Sequence, residues 1–238
     1  MSRLSVQPLT ARNAGALLAA ASGASVAVLG GLVVAGWLTV ALALIQVLPG
    51  FPPMQYNTAL GFMICGAALL SSALDLRRPT ALLGSLAAAI GLATLSQYVF
   101  HSDLGIDELL VETYLLTGVP DPGRMAPNSA LALSFIGLAL LTLGLRNGSR
   151  VWQFWPALLG AIVIALGTAA LVGYAAGIPG AYSWGRFNSM SVHTALGFTL
   201  LGGGIVGLAW NFTDNKFQNV LRLCAKGHPH AKLMCSLS

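Results

Sequence analysis

The sequence predicts an all-α integral membrane protein, with six transmembrane helices built as three parallel-repeat hairpins around a pseudo-threefold axis. Three observations predict it. Apolar residues fill 56% of the 238 positions and charged residues only 8%, far below the roughly one-quarter charged of a soluble domain. The apolar residues gather in runs of about twenty, the length a helix needs to cross a bilayer. Finally, three stretches share one pattern, MQYNTALGF from Met54, MAPNSALAL from Met125 and MSVHTALGF from Met190. Each opens an apolar run, the mark of internal repetition.

The chain begins with a segment, 1–23, that carries Arg3 and Arg12 and is read as cytoplasmic, with an interfacial lead-in that Gly23 separates from the first span. The apolar stretch 14–48 is too long for the core of a signal peptide, so the N-terminus is expected to be retained. Spans are predicted over 24–48, 57–76, 80–100, 128–146, 152–175 and 192–211, giving a membrane domain of 24–211. Its hairpins are 24–76, 80–146 and 152–211, and a cytoplasmic tail follows over 212–238. The 28 glycines suit membrane helices, where small residues let backbones approach closely. In the third span Gly84, Gly91 and Tyr98 are spaced by sevens, and in the fifth Gly160, Gly167 and Tyr174 repeat the spacing. The first span matches more loosely, with Gln46 where the tyrosines fall. Three units of like orientation point to an axis along the membrane normal rather than the inverted repeat of many transporters.

The connections between the two helices of each hairpin differ. The first, 49–56, is a short proline-rich turn. The second, 101–127, contains LGIDELLVETYLL, whose leucines Leu104, Leu109, Leu110, Leu115 and Leu116 suit a short interfacial helix with its acids facing water. The third, 176–191, carries Tyr182, Trp184 and Phe187, an aromatic composition typical of the headgroup level.

An even number of spans places both termini on one side. With them fall Arg3, Arg12, Arg77, Arg78, Arg146, Arg150, Lys216, Arg222, Lys226 and Lys232, against only Arg124 and Arg186 opposite. The positive-inside rule then makes the termini cytoplasmic. Asp103, Asp107, Glu108, Glu112 and Asp121 lie outside, and Asp75 is expected to be neutralised by Arg77 and Arg78. The basic balance belongs to cytoplasmic loops and gives no reason to invoke nucleic acid. Cys65, Cys224 and Cys235 form no disulfide framework.

Each motif sets a polar pair at the outer start of a span: Asn57 and Thr58, Asn128 and Ser129, His193 and Thr194. Helix capping is one account, since such side chains accept bonds from the orphan amides of the first turn. Ligand binding is the other: three converging helix N-termini, with Arg124 and Arg186 close by, would suit an anion, a lipid headgroup or a quinone carbonyl. Tyr98 and Tyr174 either anchor at the interface or supply hydroxyl donors. Arg124 and Arg186 either pair with loop acids or headgroups or contact the ligand. No cofactor is predicted beyond a lipid or quinone, and no metal site. The spacing of His101 and His193 does not call for haem, and His228 with His230 reads as a solvated end. No phosphate loop, hydrolase triad, zinc helix or paired intramembrane carboxylate is present, so no enzyme is expected and a proton or ion carrier lacks its usual parts.

The motifs, in this order, resemble PxNTALGFxxxGxALL, GRMAPNTALAFxxLGLALL and MxxHTALGFxxLGxGLL of the N-terminal membrane region of bacterial sensor and hybrid histidine kinases that continue into PAS domains. The region is similar in kind to the MASE sensor domains. Met125, Asn128, Ala130 and Leu131 fit the middle pattern, and Met190, His193, Thr194, Ala195 and Leu196 the last; Ser129 replaces Thr, and Gln55 with Tyr56 departs from Pro-Phe. The resemblance implies a sensor in a bacterial inner membrane whose sixth span leads into signalling modules, yet 212–238 holds no phosphotransfer helix or ATP site, so no kinase activity is expected of this chain. The expectation is a non-enzymatic membrane sensor or ligand-binding module for a lipid-soluble or periplasmic ligand. The alternatives are an accessory subunit of a larger membrane complex and a small transporter or channel. Expected partners are membrane lipids and a protein partner or second copy in the membrane.

Overall fold

The computed structural model describes residues 11–48, 50–111, 113–114, 121–146 and 151–225, with backbone alone at 11–13, 151–153 and 211–225. The described residues form helices and connections with no strand; Ser183 and Ser189 make a single isolated bridge. The helices are α1 Ala11–Thr39, the short α2 Leu42–Ile45, α3 Tyr56–Ala73, α4 Arg77–Phe100, α5 Pro127–Leu145, α6 Val151–Ala176 and α7 Val192–Ala225. Six of them, all but α2, are long and apolar enough to cross a membrane.

The first span lies more than two helical turns earlier than its sequence suggests: Ala14–Thr39 in place of 24–48. Gly23 does not break α1. A methyl group there would stand 2.9 Å from the Gly66 carbonyl oxygen, so the glycine serves helix contact. The apolar residues after Thr39 leave the helix because Val40 turns left-handed (φ 58) and α2 folds back, bringing Leu44 and Ile45 onto Gly36. Ala41 N–H then reaches the Gly36 carbonyl at 2.9 Å, a Schellman-type closure. The same six-residue closure ends α3 (Leu76 to Ser71, 2.8 Å), α4 (Ser102 to Gln97, 3.2 Å) and α6 (Ile178 to Gly173, 2.8 Å). Only α6 places a glycine, Gly177, at the left-handed position; Asp75 and His101 take it in the others.

Helices α3, α5 and α7 touch one another, and α1, α4 and α6 lie around them. Each outer helix pairs most extensively with the inner helix that follows it across a connection: α1 with α3, α4 with α5, α6 with α7. Further contacts of α3 with α4, α5 with α6 and α7 with α1 close the ring. The inner helices bury Thr58, Phe62, Cys65, Leu69 and Ser72 in α3, Ser129, Leu133, Ile136, Leu140 and Leu143 in α5, and Thr194, Phe198, Leu201, Ile205 and Leu208 in α7. All advance by steps of four and three, the spacing of a coiled-coil seam. The Phe62 and Phe198 rings meet edge-on with centroids 4.9 Å apart, and Gly61 makes room for Leu133 as Gly197 does for Phe62. Side chains thus fill the centre.

Glycine sets how closely each outer helix approaches its partner. A methyl at Gly30 would lie 2.5 Å from the Ala59 carbonyl oxygen, one at Gly91 2.8 Å from that of Ala130, and one at Gly167 2.7 Å from that of Ala195. Those alanines hold the same place in the three motifs.

The connections between the paired helices gather at the end where the motifs lie, called the motif end below. At the opposite, turn end, Asp75 forms an ion pair with Arg146 and stands 4.0 Å from Arg77. Arg146, not Arg78, is therefore its main partner. The second connection is irregular over 101–111, where an interfacial helix is expected; Glu112, Leu115 and Leu116 lie outside the described residues. Its residue Asp107 turns inward, 8% exposed, instead of facing water. The predicted segment 1–10, Cys235, His228 and His230 also lie outside the described residues, as do the side chains of Cys224 and the rest of 211–225.

Candidate functional site

Three hydrogen bonds fasten the motifs to the helices before them. Trp37 Nε1 donates to the Met54 carbonyl at 2.8 Å, Tyr98 Oη to that of Met125 at 2.8 Å, and Tyr174 Oη to that of Met190 at 2.6 Å. Each acceptor is the methionine that opens a motif. These three methionines are buried, so their carbonyls have little water available, and an unpaired one would carry a desolvation cost.

A second set of contacts ties each connection to a neighbouring hairpin. Tyr114 of the second connection packs on Trp37 (centroids 5.1 Å apart), Phe187 of the third on Tyr98 (5.0 Å), and Phe51 of the first on Tyr174 (5.3 Å). Asn57 Nδ2 donates to the Ile106 and Asp107 carbonyls, each at 3.0 Å, and Asn128 Nδ2 to the Tyr182 carbonyl at 3.0 Å. Asn188, 4% exposed, donates through Nδ2 to the carbonyls of Asp121 and Arg124, both at 2.6 Å, and accepts Asp121 N–H at 3.3 Å.

Between the second and third connections lies a charged cluster. Arg124 Nε donates to Asp107 Oδ2 at 2.7 Å and Nη1 to Asp121 Oδ1 at 3.2 Å, while Nη2 stands 3.8 Å from Asp103. The guanidinium also lies 5.5 Å from the centre of the Tyr98 ring, within cation–π range. Beneath it, fully buried Gln97 donates through Nε2 to both Asp107 oxygens (3.0 and 3.1 Å) and accepts Leu104 N–H at 2.8 Å. Burial disfavours the charge on Arg124, but Asp107 and then Asp121 outweigh it, so its pKa stands above the ordinary value. Gln97, Tyr98, His101, Ser102, Asp103, Asp121, Arg124 and Phe187 line an open cavity of about 350 Å³. Its wall holds one guanidinium and two carboxylates, Asp103 and Asp121, with Asp107 buried behind them, so the cavity carries a negative surplus.

The structure places the sequence-predicted residues as follows. Asn57, Asn128 and His193 occupy the second helical position, not the cap; the residues before α3 and α5, Gln55 and Ala126, make no side-chain cap bond. In α7 the capping is done by Ser191, whose Oγ accepts Thr194 N–H at 3.3 Å and contacts Thr194 Oγ1 at 2.8 Å. Asn128 Oδ1 accepts the Ser129 N–H at 2.9 Å. Thr58, Ser129 and Thr194 are buried at the head of the inner seams. Tyr98 and Tyr174 spend their hydroxyl protons on backbone carbonyls. Arg124 is held by loop acids, and exposed Arg186 makes no ion pair among the described residues. His193 Nδ1 is enclosed and has no hydrogen-bond partner. His101 lies on the cavity wall, and no group of three or more metal-ligating side chains is found among the described residues.

Compared with family models, curated proteins and solved structures, the chain matches none.

Sequence reasoning missed Trp37, Gln97, Asp107 and Asn188. For Trp37 a signal exists, because Gly23, Gly30 and Trp37 repeat the spacing by sevens of Gly84, Gly91 and Tyr98. Gln46, which the alignment sets against the tyrosines, instead bonds to the Phe51 carbonyl within its own connection.

Proposed function

We propose that the three hairpins are copies of one unit around a pseudo-threefold axis along the membrane normal, and that the protein is a non-enzymatic membrane sensor whose ligand enters the cavity beside Arg124. The repeat reading is supported by like bonds at like places: an aromatic donor to each motif methionine, a glycine under each motif alanine, and an aromatic ring from each connection on the hairpin before it. The motif end is outer and the termini are cytoplasmic, in keeping with the bias of lysine and arginine.

One observation carries the sensor reading. The cavity is walled in part by the connection that leads into α7. Phe187 lines the cavity and Asn188 clamps the third connection to Arg124, five and four residues before α7 begins at Val192. From there α7 runs unbroken for 34 residues, roughly 50 Å at 1.5 Å per residue and well beyond a hydrocarbon core of about 30 Å. A ligand that shifts Phe187 or Asn188 therefore pulls on a rod whose far end is in the cytoplasm. The filled centre, from Phe62 to Leu208, disfavours a pore through the bundle. The resemblance to kinase sensor regions agrees with this reading.

The ligand class follows from charge and from which donors are already used. Tyr98 and Tyr174 spend their hydroxyl protons on backbone carbonyls, and the Arg124 guanidinium is ringed by carboxylates, which disfavours a quinone carbonyl or an anion there. The surplus of carboxylates favours a small cationic or amine-bearing ligand from the outer aqueous phase. Spermidine, calcium and phosphate serve as probes of thermal stability in detergent. A cationic probe is expected to raise the melting temperature of the wild type and not of Asp103→Asn/Asp121→Asn. Stabilisation by phosphate alone, or by no probe, removes the reading; stoichiometric co-purification with a membrane complex would favour the accessory-subunit alternative.

A further inference from the structure

The three joints between connections and hairpins are unequal. The second connection is held by the Asn57 amide and by Tyr114 on Trp37; the third is held by the Asn128 amide, by Phe187 on Tyr98 and by Asn188. The first has the ring contact, Phe51 on Tyr174, but no amide clasp among the described residues. The place that Asn57 and Asn128 fill in their motifs is taken in the third by His193, whose enclosed Nδ1 bonds to nothing. The first connection is instead braced on itself, by Gln46 Nε2 donating to the Phe51 carbonyl and by Met54 N–H to the Ile45 carbonyl at 2.9 Å.

We infer that the joint between the first connection and the start of α7 is where the outer ring opens, and that histidine in place of asparagine at position 193 leaves that joint unclasped. An asparagine amide carries two donors on a short stem and reaches a neighbouring backbone carbonyl, as it does in the other two motifs. The imidazole presents one N–H in its neutral form on a wider ring. An opening joint there sits beside the helix that leaves the membrane, so α7 can move with the first connection while the other two joints stay shut. The inference rests on the cyclic arrangement proposed above and not on the ligand cavity.

Hydrogen exchange of the full-length protein in nanodiscs tests it, with no ligand present. Amides of 46–56 are expected to exchange faster than those of 101–111 and 178–190 in the wild type. His193→Asn is expected to slow exchange in 46–56 about fivefold, the size of effect one added hydrogen bond supplies. His193→Ala is expected to leave that segment within twofold of the wild type, whereas Asn57→Ala speeds exchange in 101–111. Unchanged exchange in His193→Asn overturns the inference, as does faster exchange of 46–56 in His193→Ala, which would make the histidine a clasp already. Because none of these readings uses a cationic probe, failure of ligand binding and failure of the open joint are separable.

Discussion

The two ends of the bundle carry charge clusters of opposite design. At the motif end one guanidinium, Arg124, is surrounded by Asp103, Asp107 and Asp121; at the turn end one carboxylate, Asp75, stands between Arg77 and Arg146. Burial separates their consequences. The two arginines are alike, Arg124 12% and Arg146 11% exposed, but Asp107 is 8% exposed and Asp75 70%. On Arg124 the carboxylates outweigh the cost of burial, while on Arg146 burial outweighs Asp75 and the pKa falls below its ordinary value. An ion pair with one partner in water is screened, but one buried on both sides and fully hydrogen-bonded fixes geometry and punishes removal of either partner. The turn end reads as topology, and the motif end as a built site.

The sharpest way to break the contrast is to show that the ends do not face opposite sides. Leu109 and Leu74 are 72% and 71% exposed, so single cysteines there, with Cys224 and Cys235 changed to serine, differ only in the side they face. A membrane-impermeant maleimide added to intact cells should label Leu109→Cys fully and Leu74→Cys not at all, and the reverse pattern would invert the proposed orientation. Next in size, Asp107→Ala strands the Gln97 amide and removes the nearest partner of buried Arg124, with an expected loss of about 3–5 kcal/mol. Detergent unfolding measures this, and a loss under about 1 kcal/mol would mean that the cluster is not the anchor its burial suggests. The smallest effect belongs to the turn end. Asp75→Asn should cost less, about 1 kcal/mol, because the carboxylate is solvated and buried Arg146 keeps the Leu143 carbonyl as an acceptor. A loss matching that of Asp107→Ala would erase the contrast.

Much of the fold is legible in the sequence because hydropathy is a local property: five of the six spans fall within a few residues of their predicted limits. The first does not, since leaving the helix at Val40 depends on α2 finding the surface of Gly36, a tertiary contact. The motif is legible as a helix start, and first-turn amides are met by side chains in the second and third copies, by Asn128 and Ser191, but capping is not all that the asparagines do. Asn57 and Asn128 reach across to other connections, and no local propensity signals a partner 49 or 54 residues away. Trp37 is hidden for a different reason. An indole and a phenol look unlike until both are seen donating to the carbonyl of a motif methionine.

The sequence by itself determined the membrane-spanning helices, their number and the uneven distribution of charge, because each follows from composition along a short window and from the cost of burying charge in lipid. Only the tertiary structure decided what the polar residues do. Asp107 reads as a solvated loop acid until packing buries it against Gln97 and Arg124. His193 reads as one variant of a cap until its neighbours in the other motifs are seen clasping loops. Hydrogen bonds across long separations depend on where the chain returns, and that is set by how the helices pack rather than by any residue's own preference.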